Sequence, residues 1–242
     1  MELICGIHAV VEALRAGRSL NRVIVQRGAN LRRFHEILEL CRQRGVPVHQ
    51  EPAEALDRLA PAAKHQGVIA VGAAVAYVPL EDILARGGLV IFLDGVEDPR
   101  NLGAVIRTAA VAGASGVVIP ERRAAPVTEA VAKAAAGGLA YTPVARVTNL
   151  GRALDQSKAV GYWIYGFDER GDREWDRVEW QEPVAMVFGG EGRGLRESTR
   201  KRCDFLVRIQ GAGALSSLNV SVAAGIAMFE WVRWRRQQGL GK

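Results

Sequence analysis

Polar or glycine residues follow an apolar run at three places in the sequence, which is the placement expected of a ligand site. Asn101 and Arg107 lie in DGVEDPRNLGAVIR, directly after the run LVIFLD. Glu191 lies in the glycine-rich stretch GGEGRG, and Ser217 and Asn219 end the stretch QGAGALSSLN. In an open α/β sheet, ligands bind beyond the carboxyl ends of the strands. These three loops are therefore predicted to form one site.

The glycine-rich stretch excludes the commonest nucleotide sites. Its spacing is not the GxGxxG of a dinucleotide-binding turn, and it lacks the Gly-Lys-Ser/Thr of a P-loop. Glycine at these positions lets the backbone approach an adenosine or methionine moiety closely. Glu191 offers a carboxylate to a ribose, an amine or an arginine. A plain tight turn is the alternative.

Each loop also has a purely structural interpretation. Asn101 is a residue type that caps helices, and Arg107 would then lie on the solvated face of a helix that begins near Leu102. Ser216 or Ser217 would cap the long helix that follows. Convergence favours function, because Asn, Arg, Glu and Ser side chains are predicted to meet at one end of one sheet.

Histidine and cysteine usage limits the chemistry further. All four histidines lie within the first 65 residues, and the three cysteines are far apart without a CxxC pair. A Ser-His-Asp triad near the three loops is therefore excluded, and neither a disulfide nor a metal site is expected.

The net charge of +6 indicates an anionic partner such as nucleic acid, although a basic protein without such a partner is also common. No apolar run approaches the roughly 20 residues of a membrane span. The N-terminal stretch lacks the basic region and cleavage site of a signal peptide, so a cytoplasmic location is expected.

The first 75 residues are predicted to form a small α/β unit. Amphipathic helices are predicted at 8–17 and 31–44, and strands at 22–26, 46–50 and 67–72. The buried face of the second helix is predicted to contain Leu31, Phe34, Leu38 and Cys41.

A linker is predicted at 76–88, where a proline and paired glycines occur, and a second domain at 89–242. In that domain strands are predicted at 89–94, 116–120, 142–147, 161–167, 183–188 and 205–209. Helices are predicted at 102–113, 127–138, 149–158, 194–202 and from about 217. The alternation predicts a mostly parallel sheet covered on both faces.

Three stretches, in this order, resemble the motifs of the SpoU/TrmH family of knotted RNA 2′-O-ribose methyltransferases: NLGAVIRTAAVAGASGVVIP, MVFGGEGRGLRESTRKRCDFLVRI and SSLNVSVAAGIAMFE. Further stretches are similar to the branch of that family that methylates a guanosine of bacterial 23S ribosomal RNA: GIHAVVEAL, HQGVIA and TPVARVTNLGRAL. The resemblance covers nearly the whole chain.

The resemblance implies a deep trefoil knot in the C-terminal domain, with S-adenosylmethionine bound in it. It also implies a homodimer whose interface forms the site. The first 75 residues are similar to the L30e-like RNA-binding module of this branch. The implied substrate is 23S ribosomal RNA. Transfer RNA is the alternative within the class, and a non-catalytic RNA-binding factor of ribosome assembly is the alternative from another class.

The residues of the site carry over by motif. Asn101 and Arg107 match substrate-side catalytic positions, Glu191 the acid of the second motif, and Ser217 and Asn219 site residues of the third. The positions that match cofactor contacts are Gly189, Ile209 and Leu218. One departure is Gln210, which begins QGAG where relatives have a proline followed by methionine, so the cofactor pocket is expected to be less fixed in advance.

The family assigns Arg107 the role of base, but a guanidinium stays protonated throughout the accessible pH range. We therefore expect Arg107 to bind a phosphate and orient the ribose hydroxyl. The proton would leave through phosphate, Glu191 or water.

Overall fold

The computed structural model describes residues 3–61, 63–73, 76–190, 192, 194–211, 213 and 217–240. Contacts within the chain divide it into two units. The first unit contains the residues up to Ala76 and the short segment Pro126–Glu129, and the second contains the rest.

The first unit is built on a four-stranded sheet. Its strands are β1 (Leu3–Cys5), β2 (Leu20–Gln26), β3 (Val48–Glu51) and β4 (Val68–Gly72), and its helices are α1 (Ile7–Arg15), α2 (His35–Arg44) and α3 (Ala53–Leu59). The strands lie in the order β1-β4-β2-β3, and only β2 and β3 run parallel. The predicted helices and strands of this region are confirmed within a few residues, whereas β1 and α3 were not predicted.

Both faces of this sheet are buried. Val23 and Val25 pack with the apolar residues of α1 and α2, whereas Ile24 between them packs with Leu56 of α3. This follows from the alternation of side chains along a strand. The face predicted for the second helix is wrong at Leu31, which is 46% exposed. Residues 31–34 form a 3-10 turn with three residues per turn, and Ile37 is buried instead.

The HQG turn before β4 has a structural role. The side-chain Oε1 of Gln66 accepts a hydrogen bond from the backbone N–H of Ile7, the first residue of α1, at 3.1 Å. The backbone N–H of Gly67 donates to Nδ1 of His65 at 3.1 Å. This turn therefore fixes the start of α1 on the edge of the sheet.

The second unit is built on a seven-stranded sheet. Its strands are β5 (Leu89–Asp94), β6 (Gly116–Pro120), β7 (Val144–Val147), β8 (Trp163–Phe167), β9 (Arg173–Glu174), β10 (Val184–Gly189) and β11 (Phe205–Arg208). The helices from α4 onward are α4 (Leu80–Leu84), α5 (Pro99–Ala112), α6 (Glu129–Ala135), α7 (Leu150–Ala159), α8 (Glu197–Arg200) and α9 (Val220–Gln237). The strands lie in the order β7-β6-β5-β10-β8-β11-β9, and every pairing is parallel.

The central strands of this sheet are covered on both faces. All six residues of β5 and all five of β6 are buried, as expected of a parallel sheet between helices. The predicted strands and most predicted helices are confirmed. The helix predicted at 194–202 is shorter and spans Glu197–Arg200. Helix α4 lies within the segment predicted as a linker, and its Leu80 and Ile83 are buried.

The starts of two helices differ from the structural interpretation of the loops. Helix α5 begins at Pro99, and the carboxylate of Asp98 caps it by accepting the backbone N–H of Arg100 at 2.8 Å. Asn101 therefore lies inside the first turn and is not the cap. Asn219 caps α9, so Ser217 lies outside that helix, and Ser216 lies outside the described residues. Proline at the first helical position is the signal for the earlier start of α5.

No helix in the described part of the chain is long and apolar enough to span a membrane.

Candidate functional site

A cleft of about 480 Å³ opens at the carboxyl ends of β5 and β10. Its lining comes from the end of β5, the loop into α5, the loop after β6, the segment after β10 and the first residue of α9: Asp94, Gly95, Val96, Glu97, Asp98, Asn101, Arg123, Gly190, Gly194, Arg196 and Val220. Two of the three predicted loops therefore line one cleft, and the third ends directly before the lining residue Val220. Among the described residues no group of His, Cys, Asp or Glu side chains is suited to hold a metal ion.

A buried ion pair fixes the floor of the cleft. The side chain of Asp94 is completely buried at the end of β5. Its Oδ2 accepts the backbone N–H of Arg196 at 3.1 Å, and its Oδ1 lies 2.6 Å from Nη2 of the same arginine. The second contact is electrostatic, because its angles do not meet those of a hydrogen bond. Asp94 therefore holds the end of the glycine-rich stretch against β5.

The first two glycines of that stretch are required by backbone packing. A Cβ on Gly190 would lie 2.0 Å from the carbonyl oxygen of Gly95, and a Cβ on Gly189 would lie 2.0 Å from the carbonyl carbon of Gly194. The backbone N–H of Gly190 also donates to the carbonyl of Asp94 at 2.9 Å. Because only glycine allows such close approach, these positions do not by themselves indicate a ligand. Glu191, the predicted acid of this stretch, lies outside the described residues.

Asn101 and Asn219 meet at the mouth of the cleft, although 118 positions separate them in sequence. The side-chain Nδ2 of Asn219 donates to Oδ1 of Asn101 at 3.0 Å. Oδ1 of Asn219 accepts from the backbone N–H of Ser221 at 2.9 Å and so caps α9. The pair therefore joins the start of α5 to the start of α9.

Two further predicted catalytic residues, Arg107 and Ser217, do not line this cleft. Arg107 is exposed on α5 and has no hydrogen-bond or ion-pair partner in the described part of the chain. The backbone of Arg107 lies against Gly138, where an added Cβ would be 3.0 Å from the Arg107 Cα. Ser217 is exposed before α9.

None of the three positions matched to cofactor contacts lines the cleft. Gly189 is the residue before the lining residue Gly190, Ile209 follows β11, and Leu218 is 48% exposed.

An acid directly after β8 was not predicted from the sequence. The side chain of Asp168 is 1% exposed, and its Oδ1 accepts the Nε–H of Arg170 at 2.8 Å. The side-chain hydrogen bonds from Arg170 lower the pKa of Asp168. Its Oδ2 lies 3.6 Å from the position of a Cβ on Gly194, beside the glycine-rich stretch. The signal available in the sequence was an acid directly after the apolar run GYWIYGF, the same pattern that places Asp94.

Helices α5 and α9 pack side by side and leave apolar side chains exposed. A Cβ on Gly225 of α9 would lie 3.8 Å from Cγ2 of Thr108 on α5. Val111 of α5 is 71% exposed, and Val222 and Phe229 of α9 are 49% and 46% exposed. Exposed apolar side chains that form one patch would mark an interaction site.

Two family models match the chain. The model described as the SpoU rRNA Methylase family matches residues 88–229. The model described as RNA 2′-O ribose methyltransferase substrate binding matches residues 3–78.

Curated proteins match over almost the full length. The chain is 37% identical to the putative TrmH family tRNA/rRNA methyltransferase YacO of Bacillus subtilis over 98% of both chains. It is 38% identical to a putative TrmH family tRNA/rRNA methyltransferase of Staphylococcus haemolyticus, over 98% of this chain and 97% of the relative.

Solved structures are similar as well. The SpoU methyltransferase AviRb from Streptomyces viridochromogenes, in complex with the cofactor AdoMet, is 27% identical, with a TM-score of 0.63, over 97% of this chain and 90% of its own. The AdoMet-bound rRNA methyltransferase from Sinorhizobium meliloti is 26% identical, with a TM-score of 0.62, over 97% and 87%. A structure concerned with 2-OH methylation of C/U34 on tRNA is 25% identical, with a TM-score of 0.56, over 63% of this chain and 98% of that one.

Proposed function

Because the chain belongs to the SpoU family of S-adenosylmethionine-dependent RNA methyltransferases, we propose that it methylates a ribose 2′-hydroxyl, that of a guanosine in 23S ribosomal RNA. The observation that carries the proposal is the pairing of Asn101 with Asn219 at the cleft, because it joins the first and third motifs. The substrate-binding model matched by residues 3–78 is named for RNA 2′-O ribose methyltransferases and supports the position of methylation.

The loop after β11 fits the cofactor. Gly211 and Gly213 do not have left-handed φ angles, and a Cβ on either would meet no described atom closer than 4.0 Å. Neither turn geometry nor packing with the described residues requires glycine there, and close approach of a ligand to the backbone would account for it. We assign contact with the cofactor to Gly189, Ile209 and Leu218. The cofactor supplies a methyl group on a positively charged sulfur.

The residues of this chain position the ribose and provide a path by which the proton of its 2′-hydroxyl leaves. Asn101 and Asn219 present amide groups at the cleft. Ser217 lies two residues before Asn219 on the same loop. Arg107 binds a phosphate and orients the 2′-hydroxyl with the fork of its guanidinium. The proton leaves through that phosphate, through Glu191 or through water. Positioning of this kind supplies much of the rate, since the 2′-oxygen must lie in line with the methyl group.

A homodimer completes the site. Arg107 and Val111 lie one turn apart on α5 and therefore share a face. A second copy that covers Val111, Val222 and Phe229 would bring Arg107 into an interface between the two copies. The exposure of these apolar side chains supports this assembly.

We also propose the deep trefoil knot that the resemblance implies. In the sheet, β10 lies between β5 and β8, both of which precede it, while β11 lies beyond β8. Helix α9 then returns to pack on α5. This order of insertion and return supports a chain that passes through its own earlier loop, an arrangement rare among proteins.

Ribosomal RNA is favoured over transfer RNA by the share of this chain that aligns with each solved structure. The matched rRNA methyltransferase aligns with 97% of this chain, whereas the structure concerned with tRNA aligns with 63%. The extra length accommodates the first unit. Transfer RNA remains the second candidate, because the curated relatives are named for both substrates.

The test is transfer of labelled methyl from S-adenosylmethionine to protein-free 23S RNA and to transfer RNA in parallel, with Asn101→Ala and Arg107→Ala as controls. We expect label in 23S RNA, at a site that resists alkaline cleavage, and its loss in both variants. Label in transfer RNA alone would contradict the proposal that 23S RNA is the substrate. No label in either RNA, nor in ribosome assembly intermediates, would favour a non-catalytic binding factor.

A further inference from the structure

A second pocket lies on the sheet of the first unit and takes no part in the mechanism above. Its volume is about 200 Å³, smaller than the roughly 300–1,000 Å³ of a site for a drug-sized ligand and suited to a single ring system. Its apolar wall consists of Ile24, Leu56 and Leu59, and its polar groups are Arg22, His49 and Glu51.

The register of β2 and β3 separates the charged groups of this pocket. Ile24 is paired with His49, Arg22 lies two residues before Ile24, and Glu51 lies two residues after His49. All four side chains therefore share one face of the sheet. Because β2 and β3 are parallel, Arg22 and Glu51 lie about four residues apart along the strands, or about 13 Å at ~3.3 Å per residue. A flat ring fits between them over the aliphatic wall.

The two charged side chains of this pocket have no partner among the residues that the structure describes. The Nε of Arg22 is buried and has no hydrogen bond to any described residue. Neither its guanidinium nor the carboxylate of Glu51 forms an ion pair or hydrogen bond with the described residues of the chain. Arg22 and Glu51 therefore place opposite charges in the pocket that no described residue neutralises, and a ligand with both acceptor and donor groups would satisfy them.

We propose that this pocket binds one unpaired guanine of the RNA, an inference that rests on the proposed RNA substrate. Guanine presents O6 and N7 as acceptors to an arginine and its N1–H and N2–H₂ as adjacent donors to a carboxylate. Adenine has a single donor group on its edge and satisfies Glu51 less well. A phosphate group is disfavoured by Glu51, and His49 offers a ring for stacking, as in recognition of unpaired RNA bases.

The experiment measures binding of the full-length protein to uridine heptaribonucleotides with a central guanosine, inosine, adenosine or uridine, by fluorescence anisotropy at one fixed salt concentration. We expect the guanosine heptamer to bind most tightly, about tenfold more tightly than the adenosine heptamer, a difference typical of one bidentate base contact. Inosine lacks N2–H₂ and should bind with intermediate affinity.

Two variants test the pocket in different ways. Glu51→Gln removes the carboxylate with little change of shape, and Ala55→Phe fills the pocket from α3 without a change of charge. Both should abolish the preference for guanosine. The matched controls are Glu54→Gln and Arg58→Gln, which change exposed charges of α3 outside the pocket and should retain it. Thermal unfolding of each variant confirms that it is folded.

Equal affinity for all four heptamers would overturn the proposal, as would a guanosine preference that survives both pocket variants. Loss of the preference in the two controls would also overturn it, because general charge would then explain binding. Methyl transfer is measured separately, so these outcomes differ from failure of the proposed activity. If transfer occurs, Glu51→Gln should raise KM for RNA and leave kcat unchanged.

Discussion

At the scale of single residues, the two asparagines of the site have both structural and chemical roles. Oδ1 of Asn219 caps α9, which leaves its Nδ2 to donate to Asn101. The orientation of one amide is therefore set by a helix start, and that amide in turn orients the other. Substitution of either asparagine would disturb both the start of a helix and the contact with substrate. A loss of activity in such a variant would therefore combine a structural effect with a catalytic one.

Arg107 offers a cleaner test, because no contact with the described residues depends on it. In Arg107→Lys the charge remains but the planar fork is lost. If the fork orients the ribose, kcat should fall about a hundredfold, the scale of a small misplacement of reacting groups, while cofactor affinity is unchanged. The measurement is steady-state methyl transfer together with calorimetric titration of S-adenosylmethionine. Arg100→Lys on the exposed side of the same helix is the control. Full activity with a normal pH profile would refute this role.

Asp94 tests the connection between the glycine-rich stretch and β5. Asp94→Asn keeps the shape but removes the charge beside Arg196. We expect a loss of about 1–3 kcal/mol in the free energy of unfolding, since the arginine is partly exposed and can reach water. Urea denaturation measures this loss. Asp155→Asn, in an exposed pair with Arg202, should cost less than about 1 kcal/mol. Equal losses of unfolding free energy in the two variants would show that burial of Asp94 does not strengthen its contribution to stability.

At the scale of elements, the sequence predicted the strands better than the loops that join them. The runs LVIFL and PVAMVF are continuously apolar because β5 and β10 are buried on both faces, and this pattern is local. The start of α9 was misplaced because three residues of helix-capping types, Ser216, Ser217 and Asn219, occur within four positions. The cap, Asn219, also donates a hydrogen bond to Asn101, which is distant in sequence and could not be identified as its partner from the local pattern.

The glycine-rich stretch is the element whose shape matters most. Its glycines were predicted to favour a ligand, but Gly190 is explained by contact with Gly95. Gly190→Ala should force the two loops apart at a cost of about 1–3 kcal/mol and weaken cofactor binding. Thermal unfolding and calorimetric titration measure the two effects. In the control Gly151→Ala, the added methyl meets the flexible side chain of Arg202. Wild-type stability in Gly190→Ala would contradict this packing.

At the scale of the whole molecule, alternation of strands and helices was enough to predict a parallel sheet, but not the order of its strands. The order of the strands depends on contacts between residues that are distant in sequence, such as Phe188 and Leu93, which pair β10 with β5. The knot was expected from resemblance alone. The proposed partner surface on α5 and α9 was not predicted from the sequence either, because the exposure of Val111 and Phe229 depends on how the two helices pack.

A dimer with shared sites predicts complementation between inactive variants. In a symmetric dimer each site would take Arg107 from one copy and Asn101 from the other. Arg107→Ala and Asn101→Ala are each expected to be inactive, yet a mixed dimer would contain one site with both residues intact. Random exchange of equal amounts should therefore restore about a quarter of wild-type activity, because half of the dimers are mixed and each has one intact site.

The measurement is methyl transfer after the two variants are unfolded together and refolded. The control mixture carries Phe229→Glu in both chains, which places a charge on the apolar face of α9 and should prevent assembly. We expect that mixture to remain inactive and to elute at the size of a monomer. Assembly without recovery of activity would mean that each copy holds its own complete site. Recovery of activity in the Phe229→Glu mixture would mean that the apolar face of α9 is not needed for a shared site. The exposed position of Arg107 outside the cleft of its own chain favours the shared arrangement.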